Sequence, residues 1–216
     1  MPTSTEAEEH LRVIRSLMEK ATIYRAISAP TALIGGVAST LFGAWLYFHW
    51  RPLPIGGEEQ EFSRLFLMGW VAVLAVTAVA NFWLIWRAAG RRGERFISPA
   101  MRKALWALLP PMLCGAFFTV LMARSTNSPS ISSLPQYWMV FYGLGLLATA
   151  QFSPRSISVL GWCFLFAGFL SFVIQGWLEL GAHRLTAANL MMLATFGLFH
   201  LIYAACTWPR KTGGEV

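Results

Sequence analysis

The chain contains no aspartate, and its ten acidic residues, all glutamate, fall outside the long apolar runs or at their margins. Charged residues make up 12% of the sequence, about half the usual share of a soluble domain. Ion-coupled transporters generally hold a proton or sodium ion on an intramembrane carboxylate, so that class loses ground. The lysines, Lys20, Lys103 and Lys211, all lie outside the apolar runs, which excludes a Schiff base at depth. Three cysteines, Cys114, Cys163 and Cys206, sit in three different runs and form no Cys-x-x-Cys pair. No redox or metal motif is therefore signalled, and the thiols are expected to be buried as small apolar groups. Phosphate-loop, zinc-protease and nucleophile-elbow motifs are all missing. The first 25 or so residues are polar and charged, which does not suit a cleavable secretory signal.

In place of charge, the chain has hydrocarbon. It is 56% hydrophobic and 14% aromatic, with ten tryptophans among 216 residues. Six stretches approach or reach the ~20 apolar residues that a membrane-crossing helix needs: 27–49, 65–86, 104–123, 137–152, 157–175 and 187–206. The fourth is short, with Pro135 at its start. The third carries Pro110-Pro111, which should kink it. Arginine and lysine divide thirteen to four between the two sides if the N-terminus is inside. That bias predicts an all-α integral membrane protein with six spans and both termini cytosolic, in a membrane such as the bacterial inner membrane. The chain then divides into a cytosolic segment 1–25, a membrane bundle 26–208 and a cytosolic tail 209–216. In the first part, Thr5 and Glu8 have capping-box spacing, and Leu11, Ile14, Met18 and Ala21 form one stripe. This predicts an amphipathic helix lying on the inner surface or against a partner. The net charge of +7 arises from short basic loops beside the spans, so it argues membrane topology and not nucleic acid.

Lipid tails are as apolar as leucine, so spans associate through close packing and polar contacts. Gly35, Ser39 and Gly43 form a small-residue stripe on the first span, suited to close approach by another helix. At depth, the notable residue is His200 in the sixth span. Asn81 in the second span and Gln151 in the fourth lie at similar inner depths, and Tyr203 is one turn beyond His200. Adjacent even-numbered helices would gather these four into a polar cluster open to the cytosol. His200 then either glues helices as a neutral imidazole or lines a solute cavity. Glue is favoured, since no acid stands near it to pair an imidazolium. His49 and His183 approach the outer face, but His183 lies in a loop beside Arg184, so no haem, metal or other cofactor is expected.

Between the second and third spans, Arg87, Arg91, Arg92, Arg95, Arg102 and Lys103 face only Glu94. Such a cluster attracts anionic lipid or an acidic cytosolic protein. On the outer side, Glu58, Glu59 and Glu61 are read as a solvated acidic loop. Together these features favour a non-catalytic accessory, assembly or regulatory membrane subunit, docking a membrane or cytosolic partner or anionic lipid through its basic inner face. The competing expectation is a small-solute transporter or channel around His200, Asn81 and Gln151.

Overall fold

Inside hydrocarbon, backbone N–H and C=O groups find no water, so apolar runs of this length become helices that satisfy those groups internally. The structure, a computed structural model, describes residues 8–10, 29–49, 58–92, 97, 99–124, 131–150, 153–177 and 183–208. These residues are helical apart from short turns and bends, with no strand among them. The helices are α1 (Ala29–His49), α2 (Glu58–Arg92), α3 (Pro99–Ala123), α4 (Leu134–Ala148), α5 (Arg155–Trp177) and α6 (Arg184–Thr207). Residues 8–10 are helical and exposed; the rest of the expected amphipathic helix and the 209–216 tail lie outside the described residues.

Five helices, α1, α2, α3, α5 and α6, are long and apolar enough to cross a membrane. The fourth is not. It has 15 residues, a rise of about 22 Å. The Thr149 hydroxyl donates to the Leu146 carbonyl at 2.7 Å, and the Thr149 N–H bonds the same oxygen at 3.2 Å. Such a local side-chain bond offers the backbone an alternative to another helical turn, and the helix stops there.

Two expectations are corrected. The acidic outer segment is no loop: α2 begins at Glu58 and runs 35 residues to Arg92, about 52 Å against ~30 Å of hydrocarbon. Glu59 and Glu61 lie in its first turn and Arg91 in its last, the arrangement that complements the helix dipole at both ends. Sequence hydropathy marks only the middle of such a helix, because charged extensions lower the average without ending the winding. The three cysteines are exposed on the bundle surface, not buried. A span is apolar on all sides, so an apolar neighbourhood in sequence does not separate core from outer face.

The consecutive pairs α1/α2, α3/α4 and α4/α5 run antiparallel. Helix α1 packs on α2 and α6, α4 packs on α3 and most extensively on α5, and α6 also touches α4 and α5. One end of the bundle carries Arg87, Arg91, Arg102, Lys103 and Arg155; this is the basic end. Two cores fill the interior. At the far end, Leu46, Phe66, Trp70, Leu134, Leu185 and Met192 meet. At the basic end, Met139, Leu146, Ile157, Phe164 and Tyr203 meet.

The closest approach of two backbones is between α4 and α5. A Cβ added to Gly143 would lie 2.8 Å from both the Gly161 carbonyl oxygen and the Leu165 nitrogen, so only glycine lets these backbones approach. The stripe on α1 is used within the chain. Gly35 meets the Thr77 methyl of α2, Gly43 meets Leu193 of α6, and Ser39 is buried. On the adjacent ridge, Gly36 meets Leu201.

Candidate functional site

The winding of α6 changes partway. Arg184–Met192 and His200–Thr207 are α-helical, but Leu193–Phe199 between them is π-helical. At the second junction, the His200 N–H bonds the Gly197 carbonyl and not its α-helical partner four residues back, Phe196. The imidazole meets that carbonyl instead: Nδ1 lies 3.0 Å from the Phe196 oxygen. A carbonyl only accepts, so Nδ1 carries the proton and Nε2 is the bare nitrogen. The Tyr142 hydroxyl of α4, 2.8 Å from Nε2, is then the donor. Both ring nitrogens are engaged, and the tautomer is fixed by its partners. Around the ring stand Phe164 of α5, with centroids 5.4 Å apart, and Phe196, at 6.1 Å. The imidazole bridges two helices inside an aromatic surround.

The π segment decides which helices α6 can reach. His200 comes after Asn189 by about three α-helical turns, so uniform α winding would put both on one face. A π segment winds more residues into each turn, and seven of them rotate the downstream residues by roughly a third of a turn. Asn189 accordingly reaches α1, donating from Nδ2 to the Gly43 carbonyl at 2.8 Å, while His200 reaches α4. Near the same stretch of α1, the buried atoms Asn189 Oδ1, Trp70 Nε1 and Thr40 Oγ1 have no hydrogen-bond partner among the described residues.

The four residues expected to cluster have different fates. Asn81 accepts from Thr31 at 2.9 Å, joining α2 to α1, whereas His200 joins α6 to α4. Tyr203 is buried in the basic-end core one turn beyond His200, and Gln151 lies outside the described residues. Sequence reasoning missed Tyr142. Its signal was a phenol inside the fourth span, set back from the depth at which Gln151 drew attention. Also missed was a cross-bundle set toward the far end. Gln136 donates to Gln175 and, at 3.3 Å, to the Ser171 carbonyl of α5. The Trp138 indole donates to Thr119 of α3 at 2.8 Å.

Of the basic residues, Arg87, Arg91, Arg102 and Lys103 are exposed, with the Arg87 guanidinium 5.1 Å above the Trp83 ring. Arg92 ends α2, and Arg95 lies outside the described residues. Among the described residues, no three of His, Cys, Asp and Glu converge as metal ligands. No family model matches this chain, and no curated protein or solved structure matches it.

Proposed function

We propose that this is a six-span membrane protein with both termini cytosolic, acting as a non-catalytic accessory, assembly or regulatory subunit that docks partners through its basic face. In this reading α4 is the sixth span. Its 15 residues pack against α3 and α5, and Leu134, Pro135 and Gln136 at its first turn are buried, so protein meets that short end, which eases the mismatch. The basic end then faces the cytosol by the arginine and lysine bias, residues 1–25 lie on that surface as an amphipathic helix, and the bacterial inner membrane is the natural setting.

One observation supports the non-catalytic role: His200 and Asn81, two of the polar residues expected to cluster at depth, are each tied to protein partners on separate helix pairs. Both nitrogens of His200 are occupied by Tyr142 and Phe196, and Asn81 holds Thr31. Of the exposed charges, Arg87, Arg91, Arg102, Lys103 and Arg155 gather at the basic end and remain for recognition, against Glu61, Arg64, Arg124 and Arg184 at the other. The test is a native pull-down in mild detergent with mass spectrometry, comparing the parent with Arg91→Gln/Arg102→Gln/Lys103→Gln. A partner should co-purify with the parent and be released by the triple substitution; full retention sinks the docking role.

The π-helical turn beside His200 favours a second reading, since such turns are often found at functional sites. In a transporter or channel, His200→Ala abolishes solute flux in proteoliposomes while the bundle stays folded. In the subunit reading, the same change weakens the fold and leaves partner recovery proportional to folded protein.

A further inference from the structure

We infer that the junction of α1, α2 and α6 beside Gly43 binds a water molecule, which accepts from the Trp70 indole N–H and donates to the Asn189 side-chain oxygen. The site lies in the interior, away from the basic face, and does not depend on what that face docks.

Both polar groups are deep in the bundle, and both approach the same residue. Trp70 and Asn189 are 3% and 1% exposed. Gly43 lies about 9 Å inside the far end of α1, and Asn189 about 8 Å inside that of α6. The Asn189 Nδ2 donates to the Gly43 carbonyl at 2.8 Å. A Cβ on Gly43 would lie 3.4 Å from Trp70 Cζ2. That carbon is two bonds from Nε1 on one edge of the indole, so the N–H edge is turned to Gly43. The same Cβ would lie 3.3 Å from Leu193, where the π segment begins. Three helices meet closely at this glycine, and α2 and α6 each bring one polar side chain to it.

The chemistry of the two groups selects the ligand. A carbonyl only accepts, so the Asn189 amide cannot be turned over: Nδ2 faces Gly43, and Oδ1 is left as an acceptor. The indole nitrogen can only donate. Neither atom has a hydrogen-bond partner among the described residues, although a buried indole N–H usually finds one. Phe42, Leu46, Ala188 and Met192, which share the core around them, are apolar and offer none. A molecule serving both atoms must accept from one and donate to the other. The N–H opposes a metal cation, and the oxygen opposes an anion. Water meets both demands, is small enough for a closely packed junction, and is the ordinary partner of buried polar groups that protein leaves unmet. A third such atom, Thr40 Oγ1, stands against Gly197, about one turn nearer the basic end, and is not part of the site.

Nuclear magnetic resonance of the full chain in nanodiscs of deuterated lipid tests this, with nitrogen-labelled tryptophan and asparagine in a deuterated background. Trp70→Phe identifies the Trp70 indole signal. In the parent, the Trp70 indole proton and the Asn189 side-chain amide protons should each show a cross-peak at the water frequency. Its sign should invert between laboratory-frame and rotating-frame experiments, which distinguishes a held water from proton exchange. Trp162, exposed on α5 and facing hydrocarbon, should show none. Asn189→Leu should remove the Trp70 cross-peak and keep the indole signal. Thr40→Val should leave the cross-peak in place, which excludes relay from that hydroxyl. A direct bond between Trp70 and Asn189 gives no water cross-peak in the parent; that result overturns the site whether or not Asn189→Leu folds. A cross-peak that survives Asn189→Leu, is lost with Thr40→Val, or is matched on Trp162 overturns it as well.

Discussion

Replacing Tyr142 with phenylalanine removes one hydroxyl and leaves the ring, so its contacts with Phe164 and Phe196, at 4.8 and 5.3 Å between centroids, survive. The change removes the donor to His200 Nε2 at 2.8 Å. Interhelical hydrogen bonds in membrane proteins average about 0.6 kcal/mol and reach about 1.7. Here the acceptor left behind stands among aromatic rings, which pushes toward the upper part of that range; a loss of about 1 kcal/mol is expected. His200→Phe removes the same bond and also the Nδ1 bond to the Phe196 carbonyl. Each uncovered group costs about 1 kcal/mol or more, so this change should cost about 2–3 kcal/mol. The informative quantity is the coupling in the double variant, which should fall short of additivity by about 0.6–1.7 kcal/mol. Reversible unfolding in mixed micelles, monitored by tryptophan emission, measures all three. Additivity within 0.3 kcal/mol or so would mean that the phenol and imidazole do not bond, and the account of His200 as an interhelical bridge would fail.

The close approach of α4 and α5 predicts that Gly143→Ala, whose Cβ meets backbone atoms at 2.8 Å, destabilises the bundle by about 1–3 kcal/mol. Gly90→Ala, with nothing within 4 Å, should instead stabilise α2 by about 0.5–1 kcal/mol; thermal scans in detergent compare the two. Deleting Ala194 from the π segment removes one residue's rotation of about 100°, and a return to α winding gives back about 125°, so the downstream residues should stay within roughly 30° of their present angle. His200 should then still reach Tyr142, so the deletion should cost less stability than His200→Phe in the same unfolding assay; a larger cost would refute the geometric role of the π turn. The thiols of Cys114, Cys163 and Cys206 are exposed but face hydrocarbon in a bilayer, which a charged reagent enters only at high cost. A charged maleimide should label them in sodium dodecyl sulfate and spare them in nanodiscs; rapid labelling in nanodiscs would place them in water.

The helical membrane architecture was legible because hydrocarbon permits so few backbone solutions. Five helices in the structure meet the length and composition of a span. Helix limits were less legible: the glutamates at 58, 59 and 61 extend α2 in space while ending the apolar signal in sequence. The cysteines were misjudged for a related reason, since a lipid-facing side chain and a core side chain look alike along a span. Partners at depth were hardest. Asn81 and His200 share a depth, yet Asn81 turns to Thr31 and His200 to Tyr142, because depth fixes only one coordinate and the helix angle fixes the other. The angle of His200 depends on the π turn, and no capping or proline signal in "LATFGLF" announces one.

That turn also explains why an imidazole stands in a run of hydrocarbon. Helix α6 touches α1 and α2 on one side and α4 and α5 on the other, and with uniform winding Asn189 and His200 would serve only one side. Rewinding over Leu193–Phe199 lets Asn189 hold α1 and His200 hold α4, but it also diverts the His200 N–H from the Phe196 carbonyl. In water that oxygen would be hydrated; in a bilayer it must be met by protein. Histidine meets it with Nδ1–H and still offers Nε2 to a second helix. Asparagine and glutamine also have a donor and an acceptor, but on a flexible amide that rotates freely at its last bond, whereas the imidazole presents both from one rigid ring that packs against Phe164 and Phe196. Exchange of His200 for glutamine should therefore recover part of the stability lost with phenylalanine and not all of it. Full recovery would show that rigidity contributes nothing, and no recovery would show that the two bonds are not what the ring supplies.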